Sequence, residues 1–143
     1  MLPEPTRAEV VERFKEAGLK VTPQRLAIYR ALARMKDHPS PDALFRSVRG
    51  AMPSLSLGTV YKTLDALQAA GLVEEISRLG ETKRYDANLA PHDHLVCTVC
   101  RRIADIHVDK KSVRPSADGI DGFEVTEMHV QFFGVCRDCR KKR

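Results

Sequence analysis

Four cysteines lie in two identical pairs near the end of this chain of 143 residues. The pairs are Cys97-x-x-Cys100 and Cys136-x-x-Cys139, and no cysteine precedes them. In each pair a tight turn can aim two thiolates at one ion. Two such pairs complete the tetrahedral sulfur shell that zinc prefers, which leaves no open position for catalysis. The spacing therefore predicts a structural zinc site. Two redox-active dithiols are the alternative, and iron ligation by the same four sulfurs is another.

Two histidines, His92 and His94, come just before the first cysteine pair. In an extended segment, residues two apart point to the same side, so both imidazoles would face one ion while Asp93 points away. Imidazoles with nearby carboxylates suit iron, manganese or zinc rather than a soft metal. A second metal site is one interpretation, and two surface histidines beside a zinc site is the other. Spacing alone does not select further ligands among candidates such as His38, Asp86 and Asp105.

The elements that must position these groups begin with four predicted helices. Thr6-x-x-Glu9 is a capping box, and Thr22-Pro23 and Ser40-Pro41 each place a capping residue before a proline at the first helical position. A fourth helix opens at Ser56, and Gly71 ends it. The apolar side chains of each segment recur at helical spacing, so each helix has one face to bury.

After Gly71 the pattern changes to two short strands, Leu72–Arg78 and Thr82–Asp86, around a turn at Leu79-Gly80-Glu81. Helices followed by a small hairpin predict a winged helix-turn-helix domain in residues 1–86. Its fourth helix would enter the major groove of double-stranded DNA, although Tyr61 could instead be a packing residue. The candidate DNA contacts on this helix are Ser56, Thr59, Tyr61 and Lys62.

The remaining chain predicts a second domain. Residues 87–91 are a plausible hinge, and residues 92–143 contain histidines, cysteines and strand formers. Strands are expected at Arg102–Val108 and Phe123–Phe133, with a short helix and loops across 109–121. The fold class is thus α+β, with the winged helix followed by an α/β domain that carries the zinc site.

Composition adds only weak constraints. The formal net charge of +5 is basic, but it does not prove a nucleic-acid partner. No run of apolar residues is long enough to span a membrane, and the N-terminus lacks the layout of a signal peptide. A cytoplasmic protein without a membrane partner is expected.

Several motifs together resemble the ferric uptake regulator family, and the resemblance covers nearly the whole chain. It implies a homodimeric bacterial transcription regulator rather than an enzyme. It also implies a DNA operator as partner, repression when metal is bound, and a C-terminal dimerisation domain. The motifs are Thr22-Pro23-Gln24-Arg25, His38-Pro39, Thr59-Val60-Tyr61, Gly71-Leu72-Val73, His92-x-His94-x-x-Cys97-x-x-Cys100 and Gly134-Val135-Cys136-x-x-Cys139.

The same resemblance implies a regulatory site for Fe²⁺ or Mn²⁺. Its ligands by position would be His38, Asp86, His92, His94 and Asp105. Members of the iron-uptake branch generally have Glu at the two acidic positions, whereas Asp at both is similar to the peroxide-sensing branch. In that branch hydrogen peroxide reacts with the ferrous protein and a ligand histidine is oxidised, which implies His38 and His92 as the oxidation-sensitive residues.

Other interpretations remain open from the sequence. Within the family, the chain could regulate iron or zinc uptake. From other classes, a zinc-ribbon interaction module would bind zinc but no specific DNA. A thiol redox enzyme would turn over a disulfide substrate and hold no zinc. Where some members have a further histidine site, Pro91 and Met128 stand here, so a complete third metal site is not expected.

Overall fold

The computed structural model describes residues 3–76, 82–109, 111, 113, 122–126 and 128–143. The chain forms two compact units, Met1–Ala90 and Pro91–Arg143. Helices dominate the first unit and strands the second, so the predicted α+β class is confirmed. Within the described residues, no helix is long and apolar enough to cross a membrane.

Four helices build most of the first unit, and each begins where the sequence predicts. The hydroxyl of each capping residue accepts a hydrogen bond from the backbone N–H three positions later, which satisfies one of the donors left open in a first helical turn. Glu9 also closes the predicted capping box with Thr6. The helices are α1 Arg7–Glu16, α2 Pro23–Arg34, α3 Pro41–Val48 and α4 Leu57–Ala69.

A two-stranded antiparallel hairpin follows α4. Its strands are β1 Glu74–Ile76 and β2 Arg84–Asp86. Each begins two residues after its predicted start, which was Leu72 for β1 and Thr82 for β2. The expected turn at 79–81 lies outside the described residues. The backbone N–H of Tyr85 donates to the carbonyl of Pro39 at 3.2 Å, so β2 is tied to the segment that leads into α3.

The core of the first unit lies where the apolar faces of the helices meet. Phe14 of α1 packs edge-on against Tyr29 of α2, with ring centroids 5.5 Å apart. The Tyr29 hydroxyl remains hydrogen-bonded, because Arg13 Nη1 donates to it at 3.2 Å. Leu44 of α3 and Leu64 of α4 are fully buried in the same cluster. This shared core holds α3 and α4 in place.

A three-stranded sheet organises the second unit. Strand β3, Asp93–Cys97, lies in the middle, antiparallel to β4, Ile103–Ile106, and parallel to β5, Gln131–Gly134. A short helix, α5, spans Arg137–Lys141.

The strand predicted over Phe123–Phe133 was too long. Pairing with β3 runs from His94↔Gln131 to Cys97↔Gly134, so β5 can extend only along this short partner. The described residues among 123–130 are not in a strand. The strand predicted over Arg102–Val108 is likewise trimmed to four residues. Most of the helix-and-loop segment expected over 109–121 lies outside the described residues.

Replacing Phe14 by alanine tests the importance of the first core. The change removes the ring packed on Tyr29 and leaves a cavity, so we expect the free energy of unfolding to fall by about 3–5 kcal/mol. Urea denaturation followed by far-ultraviolet circular dichroism measures it. Leu89→Ala is the control, because Leu89 is 52% exposed and should change stability by less than about 0.5 kcal/mol. Equal losses in the two variants would contradict this description of the core.

Candidate metal centres

The four cysteines come together in the second unit. One sulfur from each residue lies within 4.8 Å of all the others, and none forms a disulfide. The sulfurs of Cys100 and Cys136 are 3.8 Å apart. A tetrahedron with zinc–sulfur distances of about 2.3 Å has edges of roughly 3.8 Å. The cluster therefore fits one tetrahedral zinc ion.

The backbone around each cysteine pair fixes where its sulfurs point. Strand β3 ends at Cys97, and a turn closes when the N–H of Arg101 donates to the carbonyl of Cys97 at 3.0 Å. Arg101 adopts φ 66°, in the left-handed region. On the other side, Cys136 is the capping residue of α5 and Cys139 lies within that helix. A cysteine pair at a helix start is also typical of redox dithiols. The convergence of all four sulfurs favours a metal shell instead.

Hydrogen bonds within the cluster give the thiols different acidities. The pKa of Cys97 is lowered to about 6, chiefly because the backbone N–H of Cys136 donates to its sulfur, at 3.4 Å. The pKa of Cys139 is raised to about 12, first because its thiol is hydrogen-bonded to the side chain of Cys136 and then because of burial. Since a metal needs thiolates, binding at neutral pH must release protons from the cluster.

One charged pair beside the cysteines was not predicted from the sequence. Arg102 Nη1 lies 3.4 Å from Asp138 Oδ2, joining the residue after the first turn to helix α5. Both side chains are more than half exposed, so the pair adds little stability by itself. The pKa of Arg102 is nevertheless raised, first by the charge of Asp138 and then by the nearby Cys136 and Cys100. No spacing in the sequence identifies this contact.

His92, His94 and Asp105 form a second group in the same unit. The two imidazole rings lie with centroids 4.8 Å apart. Asp105 Oδ1 is 3.6 Å from His92 Nε2 and 3.7 Å from His94 Nε2. Asp105 reaches this position because β4 pairs with β3 in a register that places it opposite His94. Two nitrogens and one oxygen thus converge as a partial shell for a borderline metal.

His38 and Asp86 form a corresponding pair in the first unit. His38 Nδ1 is 3.4 Å from Asp86 Oδ2, while Asp86 Oδ1 accepts the backbone N–H of Asn88 at 2.8 Å. His38 has φ 51°, in the left-handed region, which few residues with side chains adopt. The bond from Tyr85 to Pro39 holds β2 beside the residue that follows His38. A histidine and a carboxylate are therefore held together by local backbone structure.

Asp93 has a role that the alternation pattern did not reveal. It is buried, and its Oδ1 accepts the backbone N–H of Val130 at 3.3 Å. This bond joins the start of β3 to the segment that enters β5. Asp93 therefore acts as a structural acceptor beside the histidines rather than as a solvent-facing carboxylate.

The predicted DNA contacts lie at the start of α4 in the first unit. The Ser56 hydroxyl caps the helix by accepting the N–H of Thr59 at 3.1 Å, and it is 2.8 Å from the Thr59 hydroxyl. Tyr61 is 42% exposed and Lys62 is also exposed. Ser56 and Thr59 thus interact with each other at the start of the helix, while Tyr61 and Lys62 are exposed further along it. Their contact with DNA stays a prediction.

Comparison with known proteins identifies relatives along almost the entire chain. The model of the ferric uptake regulator family matches residues 16–133. The peroxide operon regulator of Bacillus subtilis (strain 168) is 34% identical over 135 residues, covering 94% of this chain and 93% of that protein. This relative is named as a regulator, which agrees with the expectation that the chain is not an enzyme.

Solved structures give the same fold. The Campylobacter jejuni peroxide stress regulator is similar with a TM-score of 0.65 and 30% identity, over 94% of this chain and 99% of that one. The Helicobacter pylori ferric uptake regulator has a TM-score of 0.78 over 98% of this chain and 97% of that one. At 24% identity, the second likeness supports the fold alone.

Replacing Cys100 by serine should remove the metal from the cysteine cluster. Serine cannot supply the fourth thiolate, so we expect the purified variant to lose zinc to a chelator that leaves the unchanged protein loaded. Elemental analysis after dialysis measures this. Val99→Ala is the matched control, since Val99 lies in the same turn and is 56% exposed. Full retention of zinc by the serine variant would contradict the tetrahedral sulfur site.

Proposed function

The chain belongs to the ferric uptake regulator family, and we propose that it is a metal-dependent DNA-binding repressor that senses peroxide. The similarity to the Bacillus subtilis peroxide operon regulator over almost the full length supports this branch of the family. One observation carries the proposal. The two His/Asp groups offer nitrogen and oxygen ligands to a metal, and they do so apart from the cluster of four sulfurs.

We assign the four cysteines a structural role. A complete sulfur shell has no free coordination position, so zinc held there would stabilise the second unit without reacting with a signal. The shell draws on β3 at Cys97 and on α5 at Cys139, which are distant in sequence. Zinc would therefore crosslink the two ends of this unit and couple metal binding to its folding.

We assign Fe²⁺ or Mn²⁺ to the regulatory site. Its nitrogen and oxygen donors match the borderline character of these ions, in contrast to the soft sulfur cluster. The aspartates at both acidic positions support the peroxide-sensing branch, because a shorter carboxylate changes reach and denticity and can leave a position for peroxide. The proposed ligands are His38 and Asp86 from the first unit with His92, His94 and Asp105 from the second.

The division of these ligands between two units suggests how metal controls DNA binding. An ion that needs donors from both units binds best when the units adopt one arrangement, and it shifts the population only by that preference. In a homodimer, that arrangement would set the separation of the two α4 helices. Successive major grooves on one face of DNA are about 34–36 Å apart. Metal binding would thus favour the form that fits an operator.

Oxidation of a ligand histidine would reverse the effect. Hydrogen peroxide would be the two-electron oxidant, with one of its oxygen atoms ending on a ring carbon of the imidazole and the other leaving as water. Bound ferrous iron would supply the redox chemistry that breaks the O–O bond. Addition of one oxygen atom to His38 or His92 would remove a basic ring nitrogen from the ligand set. Each of these rings lies beside a carboxylate of the proposed site, which supports both as candidates for oxidation. The site would then no longer favour the DNA-binding form.

His38→Ala tests the regulatory site. An operator is first selected from random duplex DNA with the unchanged protein and Mn²⁺. We expect the variant to lose the metal-dependent gain in affinity, roughly 5- to 150-fold for a typical coupling between sites. Mobility shifts with and without Mn²⁺ measure it, while zinc content and oligomeric state should remain unchanged.

His107→Ala is the control for His38→Ala, because His107 follows β4 and belongs to neither His/Asp group. It should keep the full response to Mn²⁺. Normal metal-dependent binding by His38→Ala would show that the proposed regulatory site is wrong. Loss of zinc or of the dimer in that variant would show that His38 is structural.

Peroxide treatment of the iron-loaded protein tests the sensing reaction. We expect mass spectrometry to find one added oxygen atom in the peptide that contains His38 or His92, together with loss of operator binding. The Mn²⁺-loaded protein is the comparison and should remain unmodified. An unchanged iron-loaded protein would favour the second candidate, a regulator of iron or zinc uptake, which the family membership also supports.

A further inference from the structure

A cleft in the first unit carries three arginines and an apolar floor. Its volume is about 290 Å³, and Arg7, Arg30 and Arg34 line it together with the buried side chains of Leu26 and Val48. None of the described residues that line the cleft is acidic, although Glu4 lies beside two of its arginines. The volume lies just below the range of roughly 300–1,000 Å³ that is typical of pockets for drug-sized ligands. A small ligand with both an anionic and an apolar part would match this lining.

Two of the three arginines already converge on a carboxylate. Arg30 Nη2 is 3.3 Å from Glu4 Oε1, and Arg34 Nη1 is 3.7 Å from the same oxygen. Arg30 and Arg34 are four residues apart on α2, so their guanidinium groups lie on one face and repel each other unless an anion lies between them. Glu4 thus marks a position at which a carboxylate oxygen is favourable.

The charge at this position is not fully balanced. Glu4 offers one negative charge to the two arginines, and no carboxylate of the described residues pairs with Arg7. In addition, Arg30 Nε is buried and has no hydrogen-bond acceptor among the described residues. A small turn of the guanidinium would be needed to expose this donor. A carboxylate bound side-on to Arg30 could then accept from Nε and Nη2 together, as arginine prefers.

We propose that this cleft binds a small organic carboxylate, with Glu4 as an internal competitor for the same guanidinium groups. The apolar floor distinguishes this ligand from inorganic phosphate, which has no apolar part to bury. The cleft lies along α2 and the end of α3, and α3 precedes α4 in the chain. A bound ligand would hold α2 and α3 together. The proposal does not depend on the regulatory metal.

Matched probes test separately whether the cleft requires a negative charge and an apolar chain in its ligand. Hexanoate has a carboxylate and an apolar chain, 1-hexanol lacks the charge, and inorganic phosphate lacks the apolar chain. At constant ionic strength, we expect hexanoate to raise the melting temperature of the zinc-loaded protein in a concentration-dependent way. We expect 1-hexanol and phosphate to have much smaller effects. Methyl signals of Ala27 and Ala51, which line the cleft, should move with hexanoate, whereas that of Ala69 on α4 should not.

Two substitutions test the roles of the charges. Glu4→Gln removes the competitor, so hexanoate should bind roughly two- to fivefold more tightly, as expected for loss of an exposed ion pair. Arg30→Gln should abolish the methyl shifts. Arg46→Gln removes the same charge from an exposed position on α3 outside the cleft and should bind hexanoate normally. Because Glu4→Gln predicts a gain, the proposal remains testable even if Arg30→Gln fails to fold.

Several results would overturn the proposal. Equal effects of hexanoate and phosphate would indicate general anion screening, and equal effects of hexanoate and 1-hexanol would indicate binding without the arginines. Unchanged affinity in Glu4→Gln would remove the role of the internal carboxylate. Methyl shifts at Ala27 and Ala51 with duplex DNA but not with hexanoate would assign the arginines to the DNA backbone instead.

Discussion

The pairing of β3 with its two neighbours determines which metal ligands meet in the second unit. On one side, the antiparallel register places Asp105 opposite His94. On the other side, the parallel register places Gly134 opposite Cys97, and Cys136 follows two residues later. A shift of one residue in either register would turn the ligands to the opposite face of the sheet. Five residues of strand thus position donors for two chemically different sites.

The sulfur donors and the His/Asp donors differ in how completely they can surround a metal ion. Four sulfurs can enclose one ion within a single unit, so their binding energy is available to folding. Each His/Asp group is an incomplete metal shell, with two donors in the first unit and three in the second. An incomplete shell binds weakly until another group supplies the missing donors. This difference supports the two proposed roles, a permanent structural ion at the sulfurs and an ion coupled to conformation at the His/Asp groups.

Local signals in the sequence predicted most of the first unit and the cysteine site. Helix starts follow from hydroxyl caps and prolines that act within one turn. The identical Cys-x-x-Cys spacing of the two cysteine pairs predicts that they share one metal ion. Asp105 could not be selected in this way, because its proximity to His94 arises from strand register. Its position was implied only by resemblance to a family.

The length of strand β5 was overestimated from the sequence. An apolar, β-branched segment indicates strand propensity, whereas the observed length of β5 is limited by the partner strand. Arg102 and Asp138, and the arginines around Glu4, meet only through tertiary structure.

The left-handed backbone at His38 has a consequence for how the protein can evolve. At this position the backbone tolerates Asn and Asp better than most other residues with side chains. Both are reachable from a histidine codon by a single base change, and neither supplies an imidazole. The mutational routes that best preserve folding therefore lead away from an imidazole at this position. A lineage could lose the proposed ligand His38 while keeping a stable first unit.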